Sequence, residues 1–353
     1  MEAYTSVDWS KSWYNSILII SILLSLALLV SNKVIKSSNA LLNILGTVIV
    51  LYFINEPILI YSDKYSYQDS FNNAFEGFKS TKETDSGFTL FTKFIKYFFD
   101  SFYVYLLLIA TVYIFGYLKF IKYYFTKEYQ FLVFFATICS LGFYAYGTNT
   151  LRQGLALSVF LIALVHRDHK FKYFVYVVIA ILIHKSLIIP AVAFYIIKKY
   201  NLKNNYIYFW FFCLLLTLAI GNTLAAYLGD FVSSSDNRLN NYIEGENTTY
   251  KAGFKLNFLI YSIAPIIYGL KMKAKINNEF YNSMLSLYIV VNAIWLLVIR
   301  IAFTDRFAYL SWFLIPFIFL YPLSIQRIYK KQNTVIALII IYLSTVCYLI
   351  ATK

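Results

Sequence analysis

What most restricts this chain is a series of apolar stretches, each roughly 15 to 25 residues long and almost free of charge, that recurs from residue 15 to residue 351. A helix needs about 20 such residues to cross about 30 Å of hydrocarbon. In lipid the backbone must satisfy its own hydrogen bonds, so an apolar stretch of that length reads as a helix. Charge breaks divide the chain into spans at 15–32, 40–56, 101–118, 129–147, 151–166, 171–184, 186–198, 206–228, 254–270, 281–300, 304–325 and 333–351. The expected fold is all-α, a polytopic membrane helix bundle of about 12 transmembrane helices in a single integral membrane domain over 1–353. The first apolar run, Ile17 to Val30, follows Glu2, Asp8 and Lys11 without the basic start of a secretory signal, and is expected to be a retained helix.

Charge orients the bundle. With 60% hydrophobic and only 14% charged residues, the net charge of +14 is not a nucleic-acid surface, because the basic residues fall in short clusters between apolar runs. Seventeen of the 31 Lys and Arg lie in alternate linkers: 33–36, 119–127, 167–172, 198–203, 271–275 and 327–331. The opposite linkers include the two long ones, 57–100 and 229–253, rich in Asp, Glu, Asn and Ser. The positive-inside bias makes these outer loops and puts both termini on the non-cytoplasmic side. Two short limbs over 171–198 meet at His184-Lys185-Ser186, a hairpin that either crosses a thinned region or re-enters. In the first outer loop Phe88, Phe91, Phe94, Ile95 and Phe98 recur at helical spacing with Lys93 and Lys96 between them, an amphipathic segment for the bilayer surface or a cavity. Cys139, Cys213 and Cys347 lie inside apolar runs at no metal-like spacing and read as small buried hydrophobes.

An ionisable group in a spanning segment costs about 2.5–3.5 kcal/mol and usually faces a cavity or a partner. Five such groups collect at the outer boundary: Arg152, His184, Lys185, Arg300 and Arg306. Arg152 opens a helix in Asn149-Thr150-Leu151-Arg152-Gln153-Gly154, where a guanidinium beside free amides and a positive dipole end suits phosphate. A snorkelling interfacial arginine is the plain alternative. The His184 imidazole can take a proton from a hydroxyl or donate a hydrogen bond to a phosphate oxygen, and it can also be structural. Arg300 and Arg306 flank a turn in which Thr304 can cap the next helix and Asp305 can neutralise an arginine. Asp63, Asp69, Glu83 and Asp85 can bind sugar hydroxyls or stay solvated, at a spacing that matches no defined metal site. There is no phosphate-binding glycine loop, dinucleotide pattern, nucleophile elbow or zinc-ligand pair.

Leu151-Arg152-Gln153-Gly154-Leu155-Ala156, His184-Lys185-Ser186, Glu83-Thr84-Asp85-Ser86-Gly87-Phe88 and Asp305-Arg306-Phe307-Ala308-Tyr309 together resemble the EpsG family. These are Wzy-like polymerases of exopolysaccharide, capsule and O-antigen repeat units in the bacterial plasma membrane. The resemblance implies an inverting, metal-independent glycosyl transfer with no cofactor: a sugar hydroxyl attacks the anomeric carbon of a glycan held on undecaprenyl diphosphate. It implies catalytic roles for Arg152, His184 and Arg306, and substrate contacts from Gln153, Lys185, Ser186, Arg300, Asp305, Glu83 and Asp85. A chain-length regulator and a flippase are the implied protein partners, beside the lipid bilayer itself; nucleic acid is not one. Other readings of the same features are a flippase or transporter of lipid-linked oligosaccharide, an O-antigen ligase, and a lipid-phosphate-sugar glycosyltransferase with a catalytic carboxylate in an outer loop.

Overall fold

The computed structural model describes residues 6–30, 38–58, 63–75, 85–200, 205–233, 253–301 and 303–352, which are helical throughout with no strand. The helices are α1 (Ser6–Val30), α2 (Asn39–Ile54), α3 (Asp63–Asn72), α4 (Ser86–Phe98), α5 (Phe102–Tyr124), α6 (Gln130–Ile138), α7 (Phe143–Thr148), α8 (Leu151–Val165), α9 (Lys170–Ile183), α10 (Ile188–Tyr200), α11 (Asn205–Ser233), α12 (Leu256–Ile276), α13 (Glu279–Leu296), α14 (Asp305–Trp312), α15 (Ile315–Ile325) and α16 (Gln332–Ala351). Five stretches are long and apolar enough to cross a membrane: Trp9–Val30, Phe102–Tyr124, Tyr206–Leu224, Asp305–Ile325 and Gln332–Ala351. The chain is a membrane protein on that ground.

The expected spans break where backbone chemistry demands it. The stretch 129–147 is two short helices, because Gly142 adopts φ 88°, a left-handed conformation a glycine tolerates freely. The limbs of 171–198 are the 14-residue α9 and the 13-residue α10, joined through a 3-10 turn at Lys185–Leu187. The second outer loop begins later than expected, since α11 runs on to Ser233 with a kink at Ile220; residues 234–252 lie outside the described residues. The three cysteines are buried and free.

The chain divides into two compact units, one holding Thr84–Ile188 with both terminal parts, the other Ile189–Pro322. In the first unit, hydrogen bonds fix which helix ends lie together. At one end Lys122 donates to Asn43 Oδ1 (3.1 Å), the Tyr124 hydroxyl to the Leu164 carbonyl (2.6 Å) and Gln332 to the Tyr129 hydroxyl (2.8 Å). At the other end Tyr52 donates to the Trp9 carbonyl (2.9 Å) and Tyr144 to Glu56 Oε1 (2.7 Å). So α5 and α8 run parallel, with α2, α6–α7, α9 and α16 antiparallel to them, and the basic linkers 119–127 and 167–172 share one end.

The second unit is held by a buried polar hub. Asn292 accepts from Trp210 Nε1 (2.9 Å) and donates to the hydroxyls of Ser262 (3.1 Å) and Ser311 (3.2 Å), while Trp312 Nε1 reaches Ser262 at 2.8 Å. Each polar group has a partner, which is what burial in an apolar bundle requires.

Candidate functional site

Asp85 stands at the N-cap position of α4, yet its carboxylate makes no bond to that helix. It reaches across instead. Oδ2 lies 2.9 Å from His184 Nδ1 and 3.4 Å from Arg152 Nη1, and Oδ1 accepts the Lys185 backbone N–H at 3.1 Å. One carboxylate thus joins the start of α4, the start of α8 and the turn that follows α9.

Local sequence explains the meeting. α9 ends at Ile183 because His184 is extended (φ −153°), which turns its ring out of the helix and leaves the Lys185 amide for Asp85. α4 can come this close only because residue 87 is glycine: a Cβ there would stand 2.7 Å from the Leu182 carbonyl carbon and oxygen. Arg152, in the first turn of α8, packs its guanidinium near the rings of Tyr67 on α3 (5.9 Å) and Phe88 on α4 (6.0 Å). Stacking of this kind suits the flat, weakly hydrated guanidinium.

Electrostatics keep the carboxylate ionised. Burial pushes the Asp85 carboxyl up, but the bond and charge of His184, the Lys185 amide and the Arg152 charge outweigh it and leave it below its ordinary value. In the neutral imidazole, an Nδ1–H donated to the ionised Asp85 leaves the Nε2 lone pair available. The His184 and Arg152 side chains keep 26% and 24% of their exposure, so a ligand can reach them, whereas that of Asp85 keeps 8%.

A second cluster supports α3. Lys64 is buried and donates to the carbonyls of Phe53 (3.1 Å) and Glu56 (2.7 Å), with its ammonium 3.7 Å from Glu56 Oε2. Burial pushes the Lys64 ammonium down to about 8. The clamp ties α3, and with it Tyr67 and Asp63, to the end of α2.

Of the expected site residues, the structure brings Arg152, His184, the Lys185 backbone and Asp85 together. The Ser186 hydroxyl is buried with no hydrogen-bond partner among the described residues, and Gln153 is buried in α8. Glu83 lies outside the described residues. Asp63 adds negative charge near Arg152, and Asp69, exposed, accepts from Asn73 (3.0 Å). In the second unit Arg300 donates to Asn222 Oδ1 (3.1 Å) and stacks near Phe254 (5.4 Å), and the guanidinium of Arg306, beside Asp305, lies 5.2 Å from the Phe303 ring. Thr304 does not cap the next helix with its side chain: its hydroxyl donates to the Val298 carbonyl (2.8 Å) and accepts from Trp295 (2.9 Å).

Sequence reasoning missed Tyr67 and the Lys64–Glu56 clamp. The available signal was the spacing of Asp63, Lys64 and Tyr67, which a helix turns toward the bundle together. Among the described residues no three His, Cys, Asp or Glu side chains converge as a metal-ligand set.

No curated relative and no solved structure matches the chain. A comparison with protein families matches residues 39–353, nearly the whole chain, to the EpsG family. A polysaccharide polymerase-like membrane protein and glycosyltransferase-like chemistry are consistent with that match. The chain, with its carboxylate-held histidine and arginine at one end of a helical membrane unit, belongs to the EpsG family.

Proposed function

We propose that this protein polymerises lipid-linked oligosaccharide repeat units of an exopolysaccharide, capsule or O-antigen, acting at the outer face of the bacterial plasma membrane. The observation that carries the reading is the position of His184 and Arg152 on one Asp85 oxygen, 2.9 and 3.4 Å away. A proton acceptor and a fixed cation side by side are what displacement of a diphosphate by a sugar hydroxyl needs.

In this reading Nε2 of His184 takes the proton of the acceptor hydroxyl as its oxygen bonds the anomeric carbon. The bond from that carbon to the diphosphate oxygen breaks, the diphosphate leaves with the electron pair, and Arg152 stabilises the charge that develops on it. Attack opposite to the leaving group inverts the anomeric centre. Asp85 is a positioning residue: it holds the histidine tautomer and does not touch substrate. The family resemblance gives Arg306 and Arg300 a share in the cationic charge and gives Lys185, Asp305 and Glu83 contacts to sugars and phosphates; Gln153 and the Ser186 hydroxyl are buried and, like Asp85, do not touch substrate, and no metal takes part. About 12 crossings, with both termini outside, accompany this reading and agree with the basic linkers 119–127 and 167–172 lying at the end away from Asp85.

A glycosyltransferase using an outer-loop carboxylate as base is less well supported, since Asp85 is committed to two cations and a backbone amide. The test is purified protein in liposomes with an undecaprenyl-diphosphate oligosaccharide. A ladder of longer glycans with release of lipid diphosphate is expected, and is lost in Arg152→Ala and His184→Ala. Translocation without covalent change, or ladders from both variants, overturns the proposal.

A further inference from the structure

The amphipathic segment expected in the first outer loop forms α4, but its aromatic residues divide between two faces. Phe88, Thr92 and Ile95 are buried in the first unit, where the Thr92 hydroxyl bonds that of Tyr105 at 3.0 Å. The opposite face carries Leu90, Phe94, Tyr97 and Phe98 at 70, 58, 76 and 59% exposure. Their spacing of four, three and one residues puts them on one stripe of the helix. Lys93, also exposed, lies at the edge of that stripe. Contiguous exposed apolar surface of this kind marks a partner.

Two attachments say what the partner is. Only Phe99, Asp100 and Ser101 separate α4 from α5, a 23-residue helix long and apolar enough to cross a membrane. The C-terminal end of α4 is therefore within about 10–15 Å of a membrane boundary. At its other end Gly87 is seated on the backbone of Leu182, in the last turn of α9. Both ends are thus tied to helix termini at the same end of the unit, so α4, about 20 Å long, runs along that boundary instead of rising from it. The neighbouring helices also expose apolar side chains near that end: Tyr103 on α5 is 63% exposed, and Ile179 and Leu182 on α9 are 40 and 47% exposed.

We infer that α4 lies in the bilayer interface, with Leu90, Phe94, Tyr97 and Phe98 in the boundary between headgroups and acyl chains and Lys93 reaching up to lipid phosphate. The partner is the lipid surface itself. Tyrosine and lysine at the rim are the residue types that tolerate this depth, and an apolar helix face buried about 5–10 Å is the usual insertion. Asp85 begins at the same helix, so lipid contact sets the height at which it meets His184 and Arg152. Under the polymerase reading, that height is where a diphosphate carried on a membrane lipid lies; the docking itself does not depend on that chemistry.

The test labels single cysteines at Leu90, Phe94 and Tyr97 with a nitroxide in the full chain, in nanodiscs of phosphatidylcholine and phosphatidylglycerol, with the unsubstituted protein as background. The native cysteines are buried. Collisions with dissolved oxygen are expected to exceed those with a water-soluble nickel chelate several-fold at all three sites, with the reverse at a label on exposed Asp69. Nickel accessibility equal to that at Asp69 overturns the inference. Spin–spin broadening between labels overturns it as well, since a second copy of the chain would then cover the stripe. Fluorescence quenching of Phe94→Trp by brominated lipids provides a second readout in case a labelled variant misfolds. No glycosyl transfer is measured, so failure of the polymerase reading leaves this result standing, and the converse holds too.

Discussion

His184 Nδ1 lies 2.9 Å from Asp85 Oδ2, while the other oxygen of the same carboxylate takes the amide of the next residue, Lys185, at 3.1 Å. Ring and turn are gripped by one side chain. Asp85→Asn keeps its shape and removes the charge that fixes the imidazole tautomer. It is expected to lower kcat for polymerisation by about 100-fold or more, the range of a lost general base, with KM for the lipid-linked donor little changed. Steady-state kinetics on the purified variant decide this, and an unchanged kcat would separate Asp85 from the chemistry.

The same carboxylate predicts an acid sensitivity. Because its folded value lies below the ordinary one, the native state binds fewer protons than the unfolded chain between the two values. Its contribution to stability is present above the ordinary carboxylate range and is lost as pH falls through the lowered value. Thermal unfolding in detergent should show Tm falling over that acidic window in the wild type and a flatter profile in Asp85→Asn.

Arg152 is predicted to resist conservative replacement. Lysine keeps the charge but loses the flat group that lies 5.9 and 6.0 Å from the Tyr67 and Phe88 rings. Arg152→Ala should reduce polymerisation by about 10²–10³-fold, as removal of a charge-stabilising donor does, and Arg152→Lys should fall between it and wild type. Equal activity of the lysine variant and wild type would reduce Arg152 to a point charge.

Gly87→Ala tests the docking of α4 without touching a polar group. Its new methyl would stand 2.7 Å from Leu182 backbone atoms, which cannot rotate aside. Overpacking of this sort costs about 1–3 kcal/mol, and moving α4 off α9 also carries Asp85 away from His184. Loss of polymerisation together with a lower Tm is expected, while Ser86→Ala on the exposed side should leave both near wild type.

In the second unit, Asn292→Leu should destabilise without altering the ligands of His184. It removes the acceptor of Trp210 and a donor to each of Ser262 and Ser311. A buried polar group left without a partner costs about 1–3 kcal/mol. A drop in detergent Tm, against little change for Leu338→Ala on the exposed face of α16, would place that cost in the polar hub.

The sequence by itself determined that the chain is a helical membrane protein and which ionisable residues stand at the ends of its apolar runs, because both follow from transfer cost: long apolar runs must be helices in lipid, and cations are kept out of it. It also marked Arg152 and His184, since unusual residues at helix ends are visible in one dimension, and the string from Glu83 to Phe88 through the family resemblance. It did not assign their partnerships. Asp85 was one of four loop carboxylates until folding seated Gly87 on Leu182 and brought it to His184. Hydrophobic spacing likewise could not divide the α4 aromatics between protein and lipid, as Phe88 and Phe94 are chemically alike and differ only in what packs against them. Lys64 is the plainest case: a lysine in a polar loop reads as solvated, and the carbonyls of Phe53 and, just past α2, Glu56, with the Glu56 carboxylate 3.7 Å away, make its burial tolerable. Those choices depend on contacts between segments far apart along the chain, so only the tertiary structure decided them.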